Sequence, residues 1–119
     1  MFLKLNHQKL DVYGFSKQFV LECYRLTKRL PPEEKFGMIT QIRRAVLSVH
    51  LDIAEGSSRK SAMERKRYYE IARGSVIEID AALDIAADLA YLAGIKTESL
   101  GESMIRCFKI LTGLIESKK

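Results

Sequence analysis

Residues 62–92 read AMERKRYYEIARGSVIEIDAALDIAADLAYL, the longest stretch of helical periodicity in the chain. Within it, one line of small and apolar side chains recurs at alternating spacings of four and three, which places them on a single helix face. These residues are Ala72, Val76, Ile79, Leu83, Ala86 and Ala90. Ser61 with Glu64 predicts a capping box at the start of the helix, and Gly94 predicts its end. The stretch therefore predicts a helix about 45 Å long.

Three other stretches show the same periodicity. They predict shorter helices over about 9–29, 32–55, and from 99 to near the C-terminus. Pro31 and Pro32 separate the first two helices, and the two glutamates that follow suit a first helical turn.

Two further helix ends are marked by small or polar residues. Gly56 predicts a left-handed residue directly after the second helix. Ser99 with Glu102, or alternatively Thr97, predicts the start of the fourth helix. Because the loops are short, consecutive helices must run antiparallel. We therefore predict one all-α domain over residues 1–119, an antiparallel up-down-up-down four-helix bundle.

The composition is typical of a globular protein. The chain has 119 residues, of which 47% are hydrophobic, and a formal net charge of +5. No apolar run approaches the roughly 20 residues that span a bilayer, and Lys4, Asn6 and His7 interrupt any signal-peptide core. We therefore expect a cytosolic protein, in which reduced Cys23 and Cys107 serve as core residues.

Few residues offer catalysis or metal binding. The sequence has no phosphate-binding glycine loop, no paired Cys/His motif and no Glu-x-x-His pair. Arg43 or Arg44 with His50 matches the loose Arg-x4–6-His spacing of HEPN-type ribonucleases, which are also helical bundles. A structural histidine between Val49 and Leu51 is the other interpretation. We expect no enzyme activity, cofactor, metal or small-molecule substrate, with a HEPN-like ribonuclease as an alternative.

Positive charge is concentrated around the start of the third helix. Residues 57–73 hold six basic and two acidic side chains, whereas residues 74–100 hold one basic and five acidic ones. Arginine can contact phosphate through two hydrogen bonds, and the interleaved Tyr68 and Tyr69 can stack on unpaired bases. The nucleic-acid-binding candidates are Arg59, Lys60, Arg65, Lys66, Arg67 and Arg73. The alternatives are a solvated helix face, and a scaffold whose cations pair with an acidic protein or with residues 78–88 of another copy.

One ion pair is predicted between the second and third helices. If these helices pair around a turn at residues 58–62, Arg44 lies opposite Glu78. A carboxylate on an apolar line is costly unless it is paired. We therefore predict a buried ion pair between Arg44 and Glu78.

The second and third helices carry more apolar surface than one face requires. Beside its main line, the third helix has a second one. Its members are Tyr68, Ile71, Ser75, Glu78, Ala82, Ile85, Leu89 and Leu92. The second helix adds Leu47, Leu51 and Ala54. A wide core face is one interpretation. The other, which we favour, is a homo-oligomer, because long exposed apolar stripes make a monomer prone to aggregation.

Motifs on the same two helices resemble those of a known family. They comprise residues 41–45 (QIRRA), 53–56 (IAEG) and 71–75 (IARGS), with Ser48, Arg59 and Glu78. In these residues the chain resembles four-helix-bundle proteins encoded by intervening sequences of bacterial 23S ribosomal RNA genes. More distantly, it is similar to accessory proteins of diversity-generating retroelements, which bind nucleic acid and a reverse transcriptase. The chain departs from the family's usual residues at Asp52, where Asn is common, and at His50, where Pro or a small residue is common.

The resemblance implies a homopentameric ring of basic character. We therefore expect a non-enzymatic, oligomeric bundle whose basic surface binds RNA, associates with ribosomes or binds another polyanion. A protein-interaction scaffold without nucleic acid is the main alternative. Five copies of a chain with a net charge of +5 would carry about +25, which favours polyanion binding even without sequence specificity.

Overall fold

The computed structural model describes residues 1–117, which form four α-helices and no β-strand. They are α1 (Asp11–Thr27), α2 (Met38–Ser57), α3 (Ala62–Asp88) and α4 (Glu98–Glu116). Short 3₁₀ helices at Asn6–Lys9 and Pro32–Glu34 precede α1 and α2. Consecutive helices pack side by side, and α4 closes against α1. The predicted all-α, antiparallel four-helix bundle is confirmed.

The core lies between the four helices. Its most deeply buried side chains are Val12, Phe19, Cys23, Ile42, Val46, Val49, Ile53, Ile79, Cys107 and Leu111. The predicted core role of Cys23 and Cys107 is thereby confirmed. Burial raises the pKa of each thiol to about 12, so both remain protonated at neutral pH.

The start of α2 differs from the prediction. Pro32–Glu34 forms a separate 3₁₀ turn, the chain bends at Gly37 (φ −111°, ψ −107°), and α2 begins only at Met38. The Glu34 carboxylate accepts a hydrogen bond from the Met38 backbone N–H at 3.2 Å. Glu34 thus lies outside α2, and its carboxylate accepts from one of the N–H groups that have no partner within the first turn of a helix.

Gly56 lies inside α2 in a helical conformation, so the predicted left-handed residue is wrong. A Cβ atom at this position would lie 2.6 Å from the Cβ of Tyr68. The glycine therefore allows α2 and α3 to approach each other closely just before the turn that joins them.

The end of α3 also differs from the prediction. The helix stops at Asp88, short of the predicted Leu92, and Ala90 adopts a left-handed φ of 62°. The Tyr91 N–H donates to the Ala86 carbonyl oxygen at 2.9 Å, which is the bond of a Schellman motif. Because glycine usually holds the left-handed position, an alanine there carries backbone strain.

The predicted start of α3 agrees with the structure, whereas α4 starts at the alternative of its two predicted residues. The Ser61 hydroxyl accepts a hydrogen bond from the Glu64 N–H at 3.0 Å, so this predicted cap is confirmed. Helix α4 begins directly after Thr97, which confirms the alternative start. The Ser99 hydroxyl instead donates to Glu22 at 3.1 Å and ties α4 to α1.

Candidate polyanion-binding site

Arg59 holds the turn that connects α2 to α3. Its Nη2 donates hydrogen bonds to the Tyr68 hydroxyl at 2.9 Å and to Glu55 Oε1 at 3.0 Å. Its guanidinium carbon lies 4.9 Å from the centre of the Tyr68 ring, within cation–π range. Arg59 therefore links the end of α2 to α3 through Nη2, while its Nε is buried without a hydrogen-bond partner among the described residues.

Arg65 closes the same turn from within α3. Its Nη1 donates to the backbone carbonyl oxygens of Arg59 at 3.0 Å and Lys60 at 2.7 Å. Turn carbonyls have no partner in a helix or sheet, so a side-chain donor that reaches them stabilises the turn. Arg59 and Arg65 were predicted as nucleic-acid ligands, and the structure gives both a role in the turn itself.

Arg73 lies apart from the other predicted cations. Its Nη1 donates to Thr112 Oγ1 at 3.2 Å, and its guanidinium carbon lies 5.9 Å from the centre of the Phe108 ring. Arg73 is seven residues beyond Lys66, which corresponds to about 10 Å along α3. The structure therefore assigns Arg73 to the contact between α3 and α4 and does not bring it to the turn.

Lys60, Lys66 and Arg67 are exposed, and no side-chain hydrogen bond or ion pair joins them to another residue in 1–117. We refer to these three residues as the free cations. Lys66 borders a shallow cleft of about 330 Å³ that Leu114 of α4 also lines. Arg67 borders a second cleft of about 360 Å³ beside Tyr68. Positive charge is thus presented on both flanks of the first turns of α3.

The two tyrosines among these cations do not form a stacking surface. Tyr69 is buried, and burial raises the pKa of its hydroxyl. Tyr68 is half-buried and lies under the Arg59 guanidinium group. The prediction that these rings stack on unpaired bases is therefore wrong for this conformation. The site offers charge for phosphate groups rather than aromatic faces for bases.

The predicted ion pair between Arg44 and Glu78 is absent from the described chain. Both side chains are exposed. The ion pairs among residues 1–117 instead join neighbours on the same helix or on the helix and its adjoining turn, such as Glu55 with Arg59. The prediction of a buried pair within one subunit is wrong, because the outer faces of α2 and α3 remain open to water.

Arg43 and His50, the residues of the ribonuclease alternative, both bind α1. Arg43 Nε donates to Thr27 Oγ1 at 2.8 Å. The Ser16 hydroxyl donates to the Tyr13 carbonyl oxygen at 3.0 Å and lies 2.7 Å from His50 Nδ1. The tautomer of His50 decides which of Ser16 and His50 donates in this contact. Burial lowers the pKa of His50, which favours the neutral imidazole. Both side chains thus have structural partners.

Residues 1–117 contain no group of three or more His, Cys, Asp or Glu side chains that could hold a metal ion. None of the helices there is long and apolar enough to cross a membrane. The clefts of this part of the chain are open, and an apolar one lies between α3 and α4.

One apolar surface covers the outer sides of α2 and α3. We call it the α2/α3 face, and its members are Leu47, Leu51, Ile71 and Ile85. Leu51 is 58% exposed and Ile85 is 52% exposed. The second apolar line predicted on the third helix, with Leu47 and Leu51 of the second, therefore lies largely outside the core of the subunit.

A second apolar surface lies on the other flank of α3. We call it the α3/α4 cleft, a depression of about 270 Å³. It is lined by Val76, Ile77, Asp80, Met104, Ile105, Phe108 and Lys109. Ile105 and Phe108 of this cleft belong to no predicted apolar line, although they are three residues apart beside the main apolar line of the fourth helix. That spacing places them on one face and was the available signal.

Comparison with known proteins gives a consistent result. The model of the 23S rRNA-intervening sequence protein family matches residues 8–113, from before α1 into the last turns of α4. A crystal structure of a protein of unknown function from the S23 ribosomal protein family of Bacteroides thetaiotaomicron VPI-5482 is similar, with a TM-score of 0.79. The two sequences are 25% identical, and the match covers 89% of this chain and 99% of that chain. A search of curated proteins returned no match.

Proposed function

The chain belongs to the family of 23S rRNA-intervening sequence proteins, and we propose that it is a non-enzymatic, self-associating bundle that binds RNA or another polyanion. The binding groups are the free cations Lys60, Lys66 and Arg67. The family's name refers to 23S ribosomal RNA, so ribosomal RNA is the first polyanion to test. The cytosol, where ribosomal RNA is found, is the expected compartment.

The free cations carry this proposal. Their charges are exposed and lack side-chain partners among the described residues, while Arg59 and Arg65 hold the turn beneath them. Because Arg59 and Arg65 hold the turn, the backbone that carries the free cations need not be ordered on binding, which lowers the entropic cost. Because Tyr69 is buried and Tyr68 lies against the Arg59 guanidinium group, the expected contacts are with phosphate and carry little sequence information.

Self-association would strengthen such binding. A single chain offers three free cations, which is a small number of phosphate contacts. In an assembly, one RNA strand contacts several copies, and each additional contact becomes intramolecular. We propose a homopentamer, in which five chains with a net charge of +5 would carry about +25.

The test is RNA affinity as a function of salt. A variant with Lys60→Ala, Lys66→Ala and Arg67→Ala is compared with the wild type by fluorescence anisotropy of a labelled single-stranded RNA. Wild-type affinity should fall steeply with KCl. Each phosphate contact contributes about 0.7 to the slope of log affinity against log salt, so the variant's slope should fall by about 2 per chain. Binding that is absent or insensitive to salt in the wild type would refute the proposal.

A matched control variant carries Lys28→Ala, Arg29→Ala and Lys96→Ala. It removes the same residue types from exposed positions at the opposite end of the bundle. Its affinity and salt slope should stay close to those of the wild type. Light scattering on the same samples tests the alternative: if the first variant loses RNA and also becomes monomeric, its cations pair with another protein chain. Gel analysis of the RNA should show intact strands with the wild type and with His50→Ala.

A further inference from the structure

A cationic cleft lies at the end of the bundle opposite the free cations, and we call it the α1/α4 cleft. Its volume is about 330 Å³, near the lower limit for small-molecule sites. Arg25 and Arg29 line it from the end of α1 and the turn after it, and Lys96 lines it from the loop before α4. Because these cations come from segments far apart in sequence, no local motif predicts the cleft.

Apolar side chains form the inner wall of the α1/α4 cleft. Leu26 and Leu100 are buried, and Ile95 is half-buried. An apolar wall with a few charged groups is the usual composition of a small-molecule site. A bare inorganic anion would leave this wall without a partner, so the composition favours an anion that carries an apolar portion.

The charges of the cleft match those of a phosphate monoester. Arg29 and Lys96 are exposed, and no side-chain hydrogen bond or ion pair joins either of them to another residue in 1–117. Arg25 forms an ion pair with Glu22, which also lines the cleft. Three cations and one carboxylate give a formal charge of +2. A phosphate monoester carries about −1.5 to −2 near neutral pH, and an arginine can contact two of its oxygens at once.

Glu22 offers the cleft a hydrogen-bond acceptor. Its Oε1 accepts hydrogen bonds from Arg25 Nη1 and from the Ser99 hydroxyl, both at 3.1 Å. No hydrogen bond among residues 1–117 uses Oε2, and the side chain is 19% exposed. A carboxylate held in this way can accept from a ligand hydroxyl, as acidic residues accept from ribose in dinucleotide-binding folds. The cleft thus places an acceptor for a hydroxyl beside donors for a phosphate.

The loop that forms one wall of the cleft has an unusual backbone. It begins at Ala90, with a φ of 62°, and passes through Gly94, with a φ of 77°. Strain of this kind persists only where the surrounding structure holds it, and it is common at binding sites. A Cβ atom at Gly94 would meet no atom within 4 Å, so a ligand has room to approach the backbone there.

We infer that the α1/α4 cleft binds a mononucleotide, with the phosphate on Arg29 and Lys96 and a ribose hydroxyl on Glu22. The inference adds a small-molecule ligand to a chain for which the sequence predicts none. It does not depend on RNA binding or on self-association, because none of these residues belongs to the free cations. The end of an RNA strand carries the same chemistry, but the small volume of the cleft favours a single nucleotide.

Calorimetric titration of the full chain with AMP tests the inference. The wild type should bind AMP, and a variant with Arg29→Ala and Lys96→Ala should bind it at least about tenfold more weakly. Adenosine, which lacks the phosphate, and inorganic phosphate, which lacks the apolar portion, should each bind more weakly than AMP. The wild type should also prefer AMP to 2′,3′-dideoxy-AMP, and Glu22→Gln should reduce this preference.

A matched control variant carries Lys28→Ala and Lys35→Ala. It removes two exposed cations from the same end of the bundle but outside the cleft, so it should bind AMP like the wild type. Circular dichroism checks that every variant is folded.

Three outcomes would overturn the inference. They are a wild type that does not bind AMP, a control that loses as much affinity as the cleft variant, and inorganic phosphate that binds as tightly as AMP. Displacement of AMP by 5′-phosphorylated RNA, but not by 5′-hydroxyl RNA, would assign the cleft to a strand end instead. Loss of RNA binding at the free cations leaves the AMP titration unchanged, so failure of the proposed function is distinguishable.

Discussion

The two ends of α3 are stabilised in opposite ways. At the first end, Ser61 caps the helix while Arg59 and Arg65 bind the turn through side-chain hydrogen bonds. At the second end, the helix stops with Ala90 in a left-handed conformation that alanine adopts only at an energetic cost. The first end is thus held by side-chain hydrogen bonds, whereas the second combines the backbone hydrogen bond of a Schellman motif with backbone strain.

The first end also shows that residues of the same type, close in sequence, can have different roles because their hydrogen-bond partners differ. Arg65 and Arg67 are two positions apart on α3, yet only Arg65 reaches the turn carbonyls. Arg59 and Arg65 thus bind the turn, whereas Arg67 is exposed and has no side-chain partner among residues 1–117. Exposed cations also lie near the strained end, where Arg29 and Lys96 border one cleft together with Gly94.

The largest effect is expected where α2 and α3 approach each other most closely. Replacing Gly56 with alanine forces a Cβ to within 2.6 Å of the Tyr68 Cβ, so the helices must move apart. We expect Gly56→Ala to lower the free energy of unfolding by about 2–3 kcal/mol. Gly14→Ala is the control, since a Cβ there meets no atom within 4 Å, and it should raise stability by up to about 1 kcal/mol. Urea unfolding measures both, and a Gly56→Ala variant as stable as the wild type would contradict the close approach.

The next effect separates two arginines of the same helix. Arg65→Ala leaves the carbonyl oxygens of Arg59 and Lys60 without their donor and should lower the free energy of unfolding by about 1 kcal/mol. Arg67→Ala removes no contact within the described chain and should change stability by less than about 0.5 kcal/mol. RNA affinity should be reduced by Arg67→Ala. If both variants are equally stable, Arg65 does not hold the turn.

The strained end should respond in the opposite direction. Ala90→Gly removes the penalty of a left-handed alanine and should raise the free energy of unfolding by up to about 1 kcal/mol. Gly94→Ala is the matched reverse change, because Gly94 has a φ of 77° and alanine there should be destabilising. Stability changes with the same sign in both variants would argue against strain at this end.

The smallest effect concerns His50 of α2, which contacts α1. Burial, with smaller contributions from Lys17 and His7, lowers the pKa of His50 in the folded protein. As pH falls below about 6.5, the unfolded chain therefore takes up the proton first and stability decreases. Urea midpoints measured between about pH 7.5 and pH 5.5 should fall in the wild type and fall less in His50→Gln. Equal pH dependence in both proteins would show that His50 is not responsible.

The helices were predictable from sequence because their apolar spacing is regular. The lines through Val76 and Ile79 in α3, and the break at Pro31, are local signals that require no knowledge of the partner helix. Gly56 shows the limit. A glycine near a helix end suggests a left-handed residue. The actual reason for a glycine at this position is the close approach of Tyr68 from another helix.

The candidate site was predictable only as a region. The clustered basic residues in the sequence pointed to the α2–α3 turn. Which of these cations lack a partner depends on hydrogen bonds that only the structure shows. The partner of Arg73 is Thr112, 39 residues away in sequence, so no local pattern could have identified it. The predicted ion pair of Arg44 with Glu78 was wrong, because the periodicity of a single helix does not show which apolar line the neighbouring helices bury, and both side chains are exposed.

The buried cysteines make this protein suitable for chemical labelling. Cys23 and Cys107 are inaccessible, and burial holds the pKa of each thiol near 12, so the reactive thiolate is scarce in the native protein. An introduced cysteine at position 51 or 105 would therefore be the thiol that reacts readily with maleimide. The native Cys23 and Cys107 would not have to be replaced. The slower modification of Cys23 and Cys107 would then report how often the bundle opens, in the same sample and without a denaturant.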